Sequence, residues 1–471
     1  METIINIIIG YSIFILLYFL ILNFYYLFLL FLAANELFYH KQRSQIRVYN
    51  EKDCVLLPSI AILAPAYNEE LTIAESVGAL LNVEYPELEV IVINDGSKDE
   101  TMTVLTDKFK LFPAPRAAEA KILTKPVRAT YKSTVDGRLT VIDKENGGKA
   151  DALNAGIKYS RSRLFCAIDA DSLIEKDGMS RLIRPYLERE AKVVALGGIV
   201  RIVNDCRIEN GEIIETHLPK KFLPAMQVME YIRAFLCGRA GWSKLNSLLV
   251  ISGAFGLFER KSVIEAGGYR TDTVGEDVEL VVRLHRMMRD KKKPYRLLFV
   301  PDPVCWTQAP DSLKMLGRQR NRWQRGLIET LLRHWKMIGN PKYGLAGVVG
   351  MPYLLFFEML GPVIEFTGYL VITISFILGW INITFVLVFL SLAILLGVLL
   401  SLFALLLEEL TVKKYENPWD VARLFALAVL ENFGYRQLHS WWRLKAFYDL
   451  IRRKKAWGAM ERKAFVQAVG K

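Results

Sequence analysis

The chain has 471 residues, a formal net charge of +12 and 52% hydrophobic residues, room for two or three ordinary domains. Its five cysteines are odd in number and lack Cys-x-x-Cys spacing, which argues against a disulfide framework or a zinc site and suits a reducing compartment. The positive charge does not point to nucleic acid: it flanks apolar segments and phosphate-type motifs and forms no continuous basic stripe, so anionic lipid and nucleotide phosphate are the better partners.

Residues 1–38 come first as a predicted transmembrane helix. Residues 3–35 carry no charge, enough for the roughly 20 apolar residues that a span needs. The segment lacks a basic start and a small-residue cleavage site, so it is not a signal peptide. Without proline or a turn cluster it predicts one long, tilted helix. A basic linker follows at 39–57, and by the positive-inside rule its His40-Lys41-Gln42-Arg43 run sets the next region in the cytoplasm.

Residues 58–310 alternate strand-like and helix-like patterns. Strands are expected at Ile60–Ala64, Leu88–Ile93, Leu139–Ile142 and Leu164–Ile168. Helices are expected up to about Asn82 and from Gly147-Gly148-Lys149 to Tyr159. Residues 108–138 read as a loop with one edge strand. This alternation predicts a mostly parallel α/β sheet, and such sheets bind ligands at the carboxyl ends of their strands. Asn68, Asp95 and Asp169 each lie just past a predicted strand end.

Residues 311–343 predict amphipathic helix at the membrane surface and contain Gln319-Arg320-Asn321-Arg322-Trp323. Residues 344–410 predict two further spans, about 352–379, kinked at Pro362, and about 383–407, joined by the turn Trp380-Ile381-Asn382. Residues 411–471 predict an interfacial or re-entrant helix and a basic tail ending the membrane region on the cytoplasmic side.

Several groups could carry chemistry. Asp169-x-Asp171 at a strand end suits Mg2+ or Mn2+ held by one or two carboxylates plus substrate phosphates; the plain alternative is a solvated turn. Asp95 could be a turn former in Asn94-Asp95-Gly96-Ser97. Lys149 opens a helix, where free backbone N–H groups favour anions, or is a surface lysine. Asp277, in Gly275-Glu276-Asp277, could cap the following helix or act as general base on an acceptor hydroxyl. Arg322 fits a diphosphate clamp or a membrane-facing cation, and Trp323 a sugar-stacking plate or an interfacial anchor.

In motif order and spacing, residues 58–330 resemble the membrane-embedded family 2 glycosyltransferases, the group of the cellulose, hyaluronan and poly-N-acetylglucosamine synthases. The resemblance implies a GT-A, Rossmann-like α/β cytoplasmic domain joined to α-helical transmembrane and interfacial helices. It implies that Tyr67, Glu69 and Asp95 bind uridine, Lys149 and Asp169 the nucleotide diphosphate, and Asp171 the metal, Mg2+ or Mn2+. It also implies diphosphate binding by Gln319 and Arg322, catalysis by Asp277, and acceptor binding by Ser252, Gly253, Glu276 and Trp323. Trp457-Gly458-Ala459 resembles the Trp-Gly-Thr gating segment of hyaluronan synthases, with alanine for threonine. Gly275 stands where the family usually has threonine.

The implied activity is inverting, processive transfer from a UDP-sugar donor to a glycan acceptor at the cytoplasmic membrane, with coupled export and room for accessory export subunits. Glu358 and Glu365, seven apart, share one helix face. Ionisable residues inside spans are usually functional, so this face, with Glu431 and Asn432, is expected to line a polar path for the glycan. Two rivals remain: addition of one sugar to a lipid carrier, and a catalytically dead scaffold, which would be expected to lose its carboxylates.

Overall fold

The structure is a computed structural model describing residues 2–45, 57–169, 172–188, 192–209 and 211–452. Among these residues twelve strands follow one another: β1 (Ile60–Ala66), β2 (Leu88–Asp95), β3 (Leu111–Pro113), β4 (Val127–Ser133), β5 (Leu139–Lys144), β6 (Leu164–Ala167), β7 (Leu173–Ile174), β8 (Val193–Ile202), β9 (Arg207–Glu209), β10 (Glu212–Glu215), β11 (Gly256–Glu259) and β12 (Arg296–Thr307). Ten form one sheet in the order β3-β4-β5-β2-β1-β6-β11-β8-β12-β7; β9 and β10 make a separate ribbon. The centre, β5-β2-β1-β6, is parallel, and β11 runs antiparallel between β6 and β8.

Both faces of the central strands are covered, so they read as nearly continuous apolar runs. Ile60, Ile62, Val90 and Val92 point into one core with Ile73, Val77 and Leu80 of the helix Ile73–Leu81. Ala61, Leu63, Ile91 and Ile93 enter the other core with Ala152, Ala155 and Ile157 of the helix Lys149–Tyr159. The two-residue period of a strand accounts for that division. The stretch 108–138 holds two strands rather than one: the edge strand β3 pairs antiparallel with β4, and β4 with β5.

The N-terminal segment is a single helix, Glu2–Gln45. Two helices among the described residues, Asn6–Gln42 and Leu390–Thr411, are long and apolar enough to cross a membrane; a bent pair, Ala346–Met359 and Gly361–Ile377, would make a third if it counts as one span. The pair bends by 41°. Pro362 lies in the first turn of its second half, where its missing N–H costs nothing, and Leu354–Met359 before it is π-helical. Carbonyls freed at the break are recapped: Gln324 Nε2 donates to Glu358 O and Met359 O at 3.2 Å each. Such satisfaction is what permits a broken helix at membrane depth.

After Thr411 the chain forms two helices, Pro418–Leu430 and Tyr435–Ile451, parted at Gly434. A buried pair ties the sheet to the last turn of the apolar helix Ile383–Thr411: Arg201 Nη2, on β8, donates to Glu408 Oε1 at 2.8 Å.

Candidate active site

The loops after β1 and β2 are knitted together by their own hydrogen bonds. Asn68 N donates to Ser97 Oγ at 3.0 Å, Lys98 N to Asn68 Oδ1 at 2.9 Å, and Glu69 N to Thr101 Oγ1 at 2.8 Å. Glu69 itself is buried; its carboxylate accepts from Thr72 Oγ1 at 3.0 Å, and it does not line the cleft. Tyr67 is half exposed on the cleft wall.

Asp95, the last residue of β2, is committed to the scaffold. Its Oδ1 accepts from Lys144 Nζ at 2.6 Å and Gly147 N at 3.0 Å, its Oδ2 from Gly148 N at 2.7 Å. Lys144 is fully buried and also meets Asp151 at 2.7 Å. A lysine without water needs such partners, and the cluster fixes the loop that launches the helix Lys149–Tyr159. Neither Lys144 nor Asp151 stood out in the sequence.

Lys149 Nζ donates to Asp169 Oδ1 and, at 3.3 Å, to Gly253 O, with Glu276 Oε1 4.0 Å away. Burial works against the Lys149 charge, yet Asp169 and then Glu276 outweigh it and hold the ammonium above the usual lysine range. The same Gly253 residue turns its N–H to Asp277, donating to Oδ2 at 3.1 Å. Asp277 Oδ1 accepts from Val278 N at 2.8 Å, in the first turn of the helix Glu276–Asp290. Burial pushes the Glu276 carboxyl up; Lys149 opposes this and Asp277 adds to it. Ser252 lies on the same wall.

The helix Leu313–Arg333 supplies another wall, capped by Ser312 Oγ accepting from Met315 N at 3.3 Å. It carries Gln319, Arg322 and Trp323 on the cleft. A glycine pair sets its distance from the Asp277 turn. A Cβ at Gly326 would lie 2.6 Å from Gly275 Cα, and one at Gly275 2.7 Å from Gly326 Cα. The absence of threonine at 275 therefore has a packing cause. Gly326→Ala is expected to push this helix off the Asp277 turn, costing about 1–3 kcal/mol of stability; a melting curve and a transfer assay on the variant check both.

Trp323 is held in a stack that the sequence did not announce. Arg320 Cζ sits 4.1 Å from its ring, and Phe235 packs on it at 6.2 Å between centroids. Arg239 Cζ in turn lies 4.0 Å from the Phe235 ring. Arg320 is buried and paired with Glu230 at 2.8 Å, which also accepts from Tyr435 OH at 3.1 Å.

All these walls enclose one cavity of about 1000 Å³. Its sheet end is lined by Tyr67, Asp95, Lys149 and Asp169, with Ser252, Gly253, Glu276, Asp277, Gln319, Arg322 and Trp323 around it. It continues between the apolar helices, along Phe19 and Tyr26, Tyr353 and Glu358, Ala393 and Gly397, and Arg436 and Arg443. Of the four polar residues expected along a membrane path, only Glu358 lines it; its carboxylate accepts from Arg443 Nη2 at 2.8 Å and Tyr353 OH at 3.0 Å. Glu365 is bonded instead to Ser440 and to Tyr369 OH at 2.7 Å. Glu431 is fully buried against Ser401 and Arg436, and Asn432 bonds back to the carbonyls of Ala428 and Val429. Asp171 and Trp457 lie outside the described residues.

Among the described residues no three His, Cys, Asp or Glu side chains cluster as a metal cage. Asp169 offers a partly exposed carboxylate at the cleft. A cation here would take one or two carboxylates and complete its shell from phosphate oxygens, the arrangement that suits Mg2+ and similar hard ions. Asp169, now paired with Lys149, is the carboxylate that the described residues offer for that role.

The profile described as "Glycosyl transferase family 2" matches residues 61–249, and "Glycosyl transferase family group 2" matches residues 164–405, more than half of the chain. The chain is a family 2 glycosyltransferase. This glycosyltransferase is similar to the poly-β-1,6-N-acetyl-D-glucosamine synthase of Staphylococcus epidermidis, at 28% identity over 375 residues, covering 78% of this chain and 76% of that protein. It is similar to the synthase of the same name from Staphylococcus aureus strain COL at 29% over 278 residues, 59% and 56% of the two chains. Among solved structures it resembles a mannosyltransferase from Pyrobaculum calidifontis in complex with GDP-Man and Mn2+, with a TM-score of 0.51 at 17% identity, over 87% of this chain and 99% of the other. That likeness supports the GT-A arrangement of the sheet.

Proposed function

We propose that this glycosyltransferase is a processive, inverting polysaccharide synthase, using a UDP-sugar to extend a β-linked glycan at the cytoplasmic face of a membrane. N-acetylglucosamine is the favoured sugar, on the names of the relatives at 28 and 29% identity. The observation that carries the reading is the single cavity joining the carboxyl ends of the strands to the apolar helices, with both Asp277 and Trp323 on its wall. An enzyme adding one sugar to a lipid carrier has no need of a chamber that long.

In this reading Tyr67 flanks the uridine, while Asp95 and Glu69 keep the surrounding loops in place. Lys149, Gln319 and Arg322 hold the diphosphate. Asp169 and Asp171 would hold Mg2+ or Mn2+, which would supply fixed charge where the leaving group becomes negative. Asp277 takes the proton of the acceptor hydroxyl, whose oxygen attacks the anomeric carbon on the face opposite UDP. The bond from that carbon to the phosphate oxygen breaks, UDP leaves with the electron pair, and an α-linked donor gives a β-linked product. Ser252, Gly253, Glu276 and Trp323 orient the acceptor, converting binding into alignment. The helices Glu2–Gln45 and Ile383–Thr411, with the bent pair between them, hold the chamber at the lipid, and the glycan leaves along their faces; accessory export subunits would act at that end.

Purified protein incubated with a panel of UDP-sugars should release UDP from UDP-N-acetylglucosamine and give a high polymer on sizing. A single organic-extractable product would instead establish the lipid-carrier reaction. Chelation by EDTA should reduce turnover to background and added Mn2+ or Mg2+ restore it; undiminished turnover in EDTA would remove the metal from the reaction.

A further inference from the structure

Arg239 brings a positive charge to the chamber. It is 8% exposed and lines the cavity, yet its side chain makes no hydrogen bond or ion pair with any described residue. Arginines at such depth are normally paired with a carboxylate, as Arg320 is with Glu230 and Arg201 with Glu408. Burial pulls the Arg239 guanidinium down to about 10 although Asp277 works to raise it.

Its position is prepared. The helix Phe222–Tyr231 passes into a π-helix, Ile232–Gly238, directly before Arg239. Single π-helical turns are rare and recur at functional sites. Here the widened turn presents Phe235 and Arg239 to the cavity, and the guanidinium stacks on Phe235, which also packs against Trp323. Stacking fixes the plane of the guanidinium before a ligand arrives, so little freedom is lost on binding.

We propose that Arg239 is a specificity-determining residue for the acceptor, donating hydrogen bonds to the N-acyl carbonyl of the glycan's terminal sugar beside Trp323. The inference rests on the amino-sugar polymer proposed above. A guanidinium has only donors. An amide carbonyl satisfies it, whereas a terminal sugar with a free ammonium brings a second cation and no acceptor in its place. The site therefore selects acylated over de-N-acylated chain ends. The donor diphosphate is assigned to Lys149, Gln319 and Arg322, so Arg239 is left for the acceptor.

The test uses the full chain in detergent with UDP-N-acetylglucosamine and added acceptors, either short N-acetylglucosamine oligosaccharides or the same oligosaccharides chemically de-N-acetylated. Wild-type protein should extend the acetylated acceptor about tenfold better or more in kcat/KM, and Arg239→Gln should lower kcat/KM for that acceptor by about 10- to 100-fold, the loss expected for a charge-assisted hydrogen bond. The loss should come through a raised acceptor KM. The variant should also level the preference between the two acceptors, with UDP affinity by calorimetry unchanged. Arg239→Lys, which keeps the charge and loses the stacked fork, should fall between. Equal use of both acceptors by wild type, no stimulation by the acetylated one, or an unchanged preference in Arg239→Gln would overturn the inference alone. Absence of any transfer from UDP-N-acetylglucosamine by wild type would overturn the proposed sugar along with it.

Discussion

Replacing Asp277 by asparagine is expected to reduce sugar transfer by a factor of about 10²–10⁴, the usual contribution of a positioned general base, while UDP affinity stays within about twofold. Three features separate this outcome from simple unfolding. An asparagine side chain at this position keeps its amide oxygen for one of the two donors, Val278 N or Gly253 N, and turns its NH2 to the other, so the turn loses one hydrogen bond and keeps one. Asp277 is also no part of the Lys144 cluster that fixes the loop before the helix Lys149–Tyr159. Glu276, next to it, is buried with its Oε1 4.0 Å from Lys149 Nζ, a position given to the ammonium and not to an acceptor hydroxyl. A variant that binds UDP and transfers at the full rate would refute the assignment.

Trp323→Ala is expected to have the second largest effect: transfer reduced by about 30-fold or more, corresponding to the roughly 2 kcal/mol lost when a central aromatic anchor is truncated. Truncation also strips Arg320 of the ring it packs on and opens the wall shared with Phe235. Products should be fewer and shorter, because the glycan loses the surface that holds it in register between additions. Donor hydrolysis to free sugar and UDP should be largely retained, since the donor contacts proposed for Lys149 and Asp169 do not involve the indole. Comparing UDP release with sugar incorporation in the same reaction measures the two separately. Normal polymer length from the alanine variant would place the acceptor elsewhere.

The strand–helix alternation and the motif residues were legible because they follow local rules. Short apolar runs bounded by turn residues pointed to β1, β2, β5 and β6, and turn chemistry located Asp95 and Asp169 at their ends. The strands β3 and β4 were harder to read, since partly exposed strands such as Val127–Ser133 carry no continuous apolar run. Asp95 illustrates a different difficulty. Its position was evident, but its burial against Lys144 and two backbone amides depends on residues some fifty positions later. Gly275 and Gly326 are ordinary glycines in the sequence; only their contact explains why neither bears a side chain. Phe235 and Arg239 escaped notice because a π-helical turn breaks the 3.6-residue spacing on which helix faces are read. Glu365 and Glu431 looked alike to Glu358 as charges in apolar surroundings, and only packing decided which one reaches the cavity.

The most direct measurement is a cryo-EM map of the protein stalled on UDP with its own product. The expected density is a glycan whose terminal ring lies on Trp323, with a hydroxyl within hydrogen-bonding distance of Asp277, and whose older sugars run toward Glu358 and Arg443. A glycan bound outside the cavity, or one whose growing end lies away from Asp277, would contradict a chamber that both makes the polymer and leads it into the membrane.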